Sequence, residues 1–134
     1  VKLIDLDRAL KRTVKNIVVN TNNTTKETAF EIVRVLIPAT PVDTGLARGN
    51  WQGSLGGSNS GTVDTKSKES QRQVRRLLNV IKGRKEGQSI HIRNNLPYIK
   101  PLNMGHSKQA PAAFVELAVE TGRRKVKTAK LLKK

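Results

Sequence analysis

Leu3, Leu6, Leu10, Val14 and Ile17 recur every three or four residues, which puts them on one face of a helix. The spacing returns at Ala29, Ile32, Val33 and Leu36. Pro38 is expected to stop it, because proline lacks an amide donor and clashes with the preceding turn. The pattern therefore predicts a helix over 3–37. Between its halves, Asn20-Thr21-Asn22-Asn23-Thr24-Thr25 are weak helix formers, each costing roughly 0.5 kcal/mol relative to alanine. Thr24 and Glu27 also have the spacing of a capping box, which would start a second helix there. An unbroken helix would run about 52 Å at ~1.5 Å per residue. A globule of this chain length is only about 36 Å across. The segment either breaks near Asn22 or projects beyond its own domain to meet a partner, and the pattern leaves both open.

Thr40-Pro41-Val42-Asp43-Thr44-Gly45 has the composition of a turn: Pro41 fixes φ, the Asp43 carboxylate can accept a bond two residues on, and Gly45 permits a positive φ. Trp51, Gly53 and Leu55 alternate with polar residues and predict a half-buried strand over 50–56. Residues 56–61 are almost all Gly, Ser and Asn and form a loop. Val74, Leu77, Leu78 and Ile81 mark an inserted amphipathic helix over 67–82 that ends at Gly83. Ile90 and Ile92 alternate with His91 and Arg93, predicting a second strand over 88–94. Leu96 stays extended before Pro97, and Asn95 can take a left-handed turn. Pro111 suits the first turn of a last helix over 111–133, with a face of Phe114, Leu117, Ala118 and Thr121. The order predicts one α+β domain: a long N-terminal helix, a small antiparallel sheet, an inserted short helix and a C-terminal helix.

Charge changes the picture more than hydropathy does. In 134 residues, 26 Lys+Arg face 10 Asp+Glu, a net +16 that asks for an acidic partner. The excess is clustered. Residues 66–85 carry Lys66, Arg72, Arg75, Arg76, Lys82 and Arg84 against Glu69 alone. From Gly122 onward Arg123, Arg124, Lys125, Lys127, Lys130, Lys133 and Lys134 occur without an acid, and this basic tail is expected to be held by a neighbour in an assembly. No run approaches the ~18 apolar residues of a membrane span, and no apolar N-terminal segment reads as a signal peptide. The absence of cysteine excludes a disulfide framework, a thiolate metal site and a thiol nucleophile.

Catalytic chemistry finds no foothold in the pattern. His91 and His106 stand apart with no carboxylate at a set spacing, and Asp43 is already explained by its turn. Glu116 and Glu120 lie one helical turn apart with Arg124 placed to pair with them. Ser107-Lys108 has no oxyanion hole beside it, and no glycine-rich phosphate loop opens a helix. The expectation is a protein without catalytic, metal or cofactor sites.

The motifs nevertheless occur in a familiar order. Thr40-Pro41-Val42-Asp43-Thr44-Gly45 is followed by Arg48-Gly49-Asn50-Trp51-Gln52 and a helical insertion. Then come Ser89-Ile90-His91-Ile92-Arg93-Asn94-Asn95-Leu96-Pro97-Tyr98 and Gly105-His106-Ser107-Lys108-Gln109-Ala110-Pro111. Over roughly residues 37–119 the chain resembles the tail-completion and neck proteins of tailed bacteriophages, the gene-product-ten-like minor tail components. It departs from their pattern at Asn103-Met104, where an acidic residue and an aromatic are usual, and at His106, which replaces an aromatic. Ala113-Phe114 stand where a glycine and a methionine are usual.

The resemblance implies a non-enzymatic subunit of a virion ring that joins the capsid connector to the tail, made in the host cytoplasm, with six copies expected. Its partners would be copies of itself, the adjacent portal, adaptor, stopper and tail proteins, and the end of packaged DNA; no membrane is involved. Arg72, Arg75, Arg76, Arg123, Arg124, Lys125, Lys127 and Lys130 are the candidate partner contacts, with acidic proteins expected to meet most of them. Trp51 and Tyr98 are expected to pack the sheet against the long helix, and the 102–109 loop with Gly105 to shape a subunit contact. A basic module that binds nucleic-acid phosphates is the competing reading, and a steep salt dependence of DNA binding would distinguish it.

Overall fold

The computed structural model describes residues 3–42, 44–57, 61–105 and 113–129. The chain is mixed helix and sheet, in the order α1 (Leu3–Ala39), α2 (Leu46–Gly49), β1 (Gln52–Leu55), α3 (Ser70–Lys82), β2 (Ile90–Arg93), α4 (Ile99–Asn103) and α5 (Phe114–Lys127). α1 is unbroken. Its 37 residues span about 55 Å, and no second start occurs at Thr24. The polar run is helical because tertiary contacts hold it. Arg84 donates to the Asn22 side chain from beyond the end of α3, and Lys125 of α5 pairs with Glu27 just after the run. Helical propensity is a weak preference that tertiary context overrides.

Pro38 does not stop α1 either; the helix runs one residue past it. A proline in the last turn forfeits one ladder bond, and the carbonyls that follow are taken up nearby. Thr40 bonds Leu36 through its amide (3.1 Å) and its hydroxyl (2.8 Å), while Arg48 takes the carbonyls of Ile37, Pro38 and Thr40.

The C-terminal half of α1 is the spine of the core. Ala29, Val33, Leu36 and Ile37 are buried with Leu77 and Ile81 of α3, Phe114 and Ala118 of α5, and Trp51. β1 and β2 pair antiparallel with Gly53 opposite Ile92 and Leu55 opposite Ile90, and this face lies on α3: a side chain at Gly53 would meet Leu77 and Val80. The strands are shorter than the expected 50–56 and 88–94 because the α2 turn holds Asn50, whose amide bonds the Leu46 carbonyl at 3.0 Å. α3 begins at Ser70 rather than 67, since the buried Ser67 donates its amide to the Gly45 carbonyl (2.9 Å) and keeps its segment extended.

α5 turns a different face inward from the expected one. Phe114, Ala118 and Gly122 are buried at four-residue steps, whereas Leu117 is 55% exposed. Gly122 sets that face, because α1 lies so close that a Cβ there would stand 2.6 Å from Ile32. Within the described residues α5 ends at Lys127; Pro111 and Lys130, the expected start and tail of this helix, lie outside them.

Candidate functional site

The five residues Arg48-Gly49-Asn50-Trp51-Gln52 form a clasp on which separate segments close. The Arg48 guanidinium donates to the carbonyls of Ile37 (3.1 Å), Pro38 (3.2 Å), Thr40 (3.1 Å) and Lys68 (2.7 Å), tying the end of α1 to the approach to α3. Loss of water around it lowers its pKa from the usual arginine value. Gly49 lets the backbone of Thr65 approach so closely that a Cβ would lie 2.0 Å from its carbonyl oxygen. The buried Asn50 side chain donates to the carbonyls of Leu46 and Val63 and accepts from the Val63 amide, each at 2.8 Å. Trp51 is 7% exposed and donates its indole N–H to the Thr40 hydroxyl at 2.9 Å. Gln52 donates to the Gly61 carbonyl at 2.8 Å.

The neighbouring motif residues join this clasp. Gly45 adopts φ 89° and starts α2, and Pro41 is buried; Asp43 lies outside the described residues. Asn94 donates to the Ala47 carbonyl at 2.8 Å, and Asn95 to the Gly61 carbonyl at 2.9 Å. Asn95 does this with a negative φ, so the expected left-handed turn is not made there. Gln73, fully buried on α3, donates to the Trp51 carbonyl at 2.8 Å and accepts from Arg76 at 3.1 Å. Gln73 and Asn50, like Thr40 and Ser67, are buried polar residues that the apolar pattern missed, although Gln73 stands four residues before Leu77 on the inward face.

Tyr98 is not a core residue; it is 41% exposed. The turn after β2 buries Leu96 instead, leaving Pro97 and Tyr98 outside. Gly105 has φ 98° and is exposed at the end of the α4 turn. Asn103 organises the start of α5: its carbonyl and side-chain oxygen accept from the amides of Ala113 (2.6 Å) and Val115 (2.9 Å), and its side-chain amide donates to both Glu116 oxygens. Glu116 is therefore engaged by Asn103, and Glu120 by Arg123 at 3.7 Å, in place of the expected pairing with Arg124.

Two surfaces remain available to partners. The first is the N-terminal part of α1, where residues 6–15 are all exposed; further along, Arg84 bonds Asn22 and Val126 of α5 lines a hollow with Thr21. Leu6, Leu10 and Val14 are 48%, 58% and 59% exposed and form one apolar seam, with Arg8, Arg12 and Lys15 on the opposite side. The second surface is cationic. Arg72, Arg75 and Arg76 share the solvent side of α3, and Arg123, Arg124, Lys125 and Lys127 crowd the end of α5. Of the latter, Lys125 pairs with Glu27 at 3.6 Å and Arg123 with Glu120.

Among the described residues no three His, Asp or Glu side chains are grouped as metal ligands, and no helix is long and apolar enough to cross a membrane. His91 stands on β2 opposite Ser54, while His106, Ser107 and Lys108 lie outside the described residues. Compared with protein families, curated proteins and solved structures, the chain has no match.

Proposed function

We propose that this chain is a structural subunit of a tailed-bacteriophage neck ring, joining the capsid connector to the tail, with six copies around the axis. The observation that carries the reading is the projecting part of α1. A helix of 37 residues leaves its first four turns outside its own core with an apolar seam uncovered, the form of a subunit whose buried surface is completed by neighbours. The motif blocks of the phage resemblance supply the kind of assembly. Ala113, where those proteins usually have glycine, has φ 64°, a conformation glycine takes freely. Ring contacts are heterologous and close on themselves, so one seam per copy serves every junction.

Charge sets the conditions of assembly. Six copies at +16 each carry +96, which opposes closure until acidic neighbours or DNA neutralise it. Native mass measurement of the purified chain, alone and with acidic neck and tail-tube subunits, tests the proposal. The expected product is a closed ring of six 14.8 kDa copies, about 89 kDa, favoured by the acidic subunits. A chain that stays monomeric in every mixture, or stops at a dimer, overturns it.

A further inference from the structure

We propose that the outer side of α3 binds the phosphate backbone of double-stranded DNA, independently of base sequence. This goes beyond the ring assignment and stands without it: a ring subunit can hold duplex phosphates as well as copies of itself, so a steep salt slope lost on changing α3 locates the contact and does not decide against the ring. α3 buries Gln73, Leu77 and Ile81, so the helical repeat turns Gln71, Arg72, Arg75, Asn79 and Lys82 to the opposite side, with Arg76 at its margin; all six are exposed. No acidic residue occurs from Ser70 to Lys85. Among the described residues, Arg72, Arg75, Arg76 and Lys82 make no salt bridge. From Arg72 to Lys82 the ladder is about 15 Å long. At its foot Lys66, Lys68 and Arg72 line an open concavity of about 630 Å³ with Thr44 and Glu69.

The side chains on this face choose between polyanions. A protein contact is most apolar at its buried centre, and this face offers no such centre, because Val74, Leu78 and Val80 are turned inward and half-buried; the acidic protein expected at Arg72, Arg75 and Arg76 is therefore the less favoured partner. Arginine, lysine, asparagine and glutamine are the donors that hold phosphates. A duplex presents one charge per ~1.7 Å of axis, dense enough for each rung of the ladder to find one. Single strands are poorly served, since they are held largely by stacking on aromatic rings. Trp51 and Phe114 are buried, Phe30 is covered by the Arg34 guanidinium at 5.7 Å, and the exposed Tyr98 stands on the turn after β2 while α3 carries no ring. The end of α5 is the weaker candidate because Arg123 and Lys125 are already paired with acids.

The test is fluorescence anisotropy of the full chain with two unrelated labelled duplexes of about 20 base pairs, across roughly 50 to 200 mM salt. Four phosphate contacts predict a log–log slope of about −3.6, equal for both sequences. The Arg72→Gln/Arg75→Gln/Lys82→Gln variant should lower that slope to about −1 and weaken low-salt binding at least tenfold, with an unchanged melting temperature. The Arg12→Gln/Lys15→Gln/Lys100→Gln variant removes the same charge elsewhere and should bind within about threefold of the parent chain. Equal losses in the two variants, a flat salt slope, or displacement by polyglutamate as readily as by unlabelled duplex would each overturn the proposal. None of these results bears on the mass of the ring, so the two proposals fail separately.

Discussion

The indole N–H of Trp51 donates to the hydroxyl of Thr40 at 2.9 Å, and that hydroxyl donates onward to the Leu36 carbonyl at 2.8 Å. One oxygen thus closes the C-terminal turn of α1 and satisfies the buried nitrogen of a residue eleven positions on. Thr40→Val keeps the shape and removes the oxygen, leaving a buried donor without a partner. Urea denaturation should show a loss of about 1–3 kcal/mol. Thr40→Ser retains the oxygen and should recover most of that loss. Trp51→Ala removes the ring itself and should cost about 3–5 kcal/mol, enough to unfold a marginal monomer rather than only block assembly. A Thr40→Val protein as stable as the parent would show that the pair contributes nothing.

Gly122 and Ile32 make a second test, this time of helix contact. An alanine at 122 gains about 1 kcal/mol of helix propensity. Its Cβ, however, would sit 2.6 Å from Ile32 Cγ1, 2.7 Å from Cδ1 and 3.2 Å from Thr28 Cγ2. Overlap of this kind costs about 1–3 kcal/mol, so Gly122→Ala should be net destabilising. In an Ile32→Ala background the two closest atoms are gone, and the same change should become neutral or stabilising. That reversal of sign, read from a double-mutant cycle in urea, is the expected outcome. Additive effects would mean that α5 does not approach α1 so closely.

Much of this fold is legible in the sequence, and the misses share a cause. The inward sides of α3 and of the two strands follow from the spacing of Leu77, Ile81, Ile90 and Ile92, because an apolar residue at helix or strand period has one burial solution. The unbroken α1 does not follow, since propensity argues for a break near Asn22, and the opposing contacts from Arg84 and Lys125 come from segments about 62 and 98 residues away. The face of α5 escapes the apolar pattern for the same reason: Leu117 is the larger apolar residue, but Gly122 decides which side can touch α1. Tyr98 shows the limit of reading aromatics as core, since the turn that buries Leu96 carries its neighbours outward. In the clasp, the order of residues in the Arg48–Gln52 block is visible, whereas the segments each one holds become apparent only in three dimensions.

Ala113 precedes α5 with φ 64° and ψ 35°, a left-handed conformation that costs a residue with a Cβ about 1–2 kcal/mol. Ala113→Gly removes that strain but adds freedom to the unfolded chain, which returns about 0.4–1 kcal/mol. The net expectation is a gain of up to about 1.6 kcal/mol, seen as a higher midpoint in urea. A β-branched residue cannot relax in the same way, so Ala113→Val should be destabilising by more than the glycine gains. A glycine variant less stable than the parent would contradict the left-handed assignment.

The seam on α1 lets folding be tested apart from the proposed assembly. Leu6 and Leu10 are 48% and 58% exposed and lie beyond the reach of the core, so polar replacements there remove little buried apolar area in the monomer. Leu6→Gln/Leu10→Gln should therefore melt with the parent chain, within about 0.5 kcal/mol. In a subunit that completes its buried surface on a neighbour, the same two side chains leave an apolar contact, and each is worth about 1.5–3 kcal/mol when fully covered. Loss of both should raise the concentration needed for half-assembly at least a hundredfold. Mass photometry over a dilution series, run beside the melting curves, reads the two quantities in one preparation. Unchanged melting with lost assembly is the expected result. Rings that form at the parent's concentration would place the junction elsewhere on the subunit, and a lowered melting temperature would mean that the seam is packed within the monomer after all.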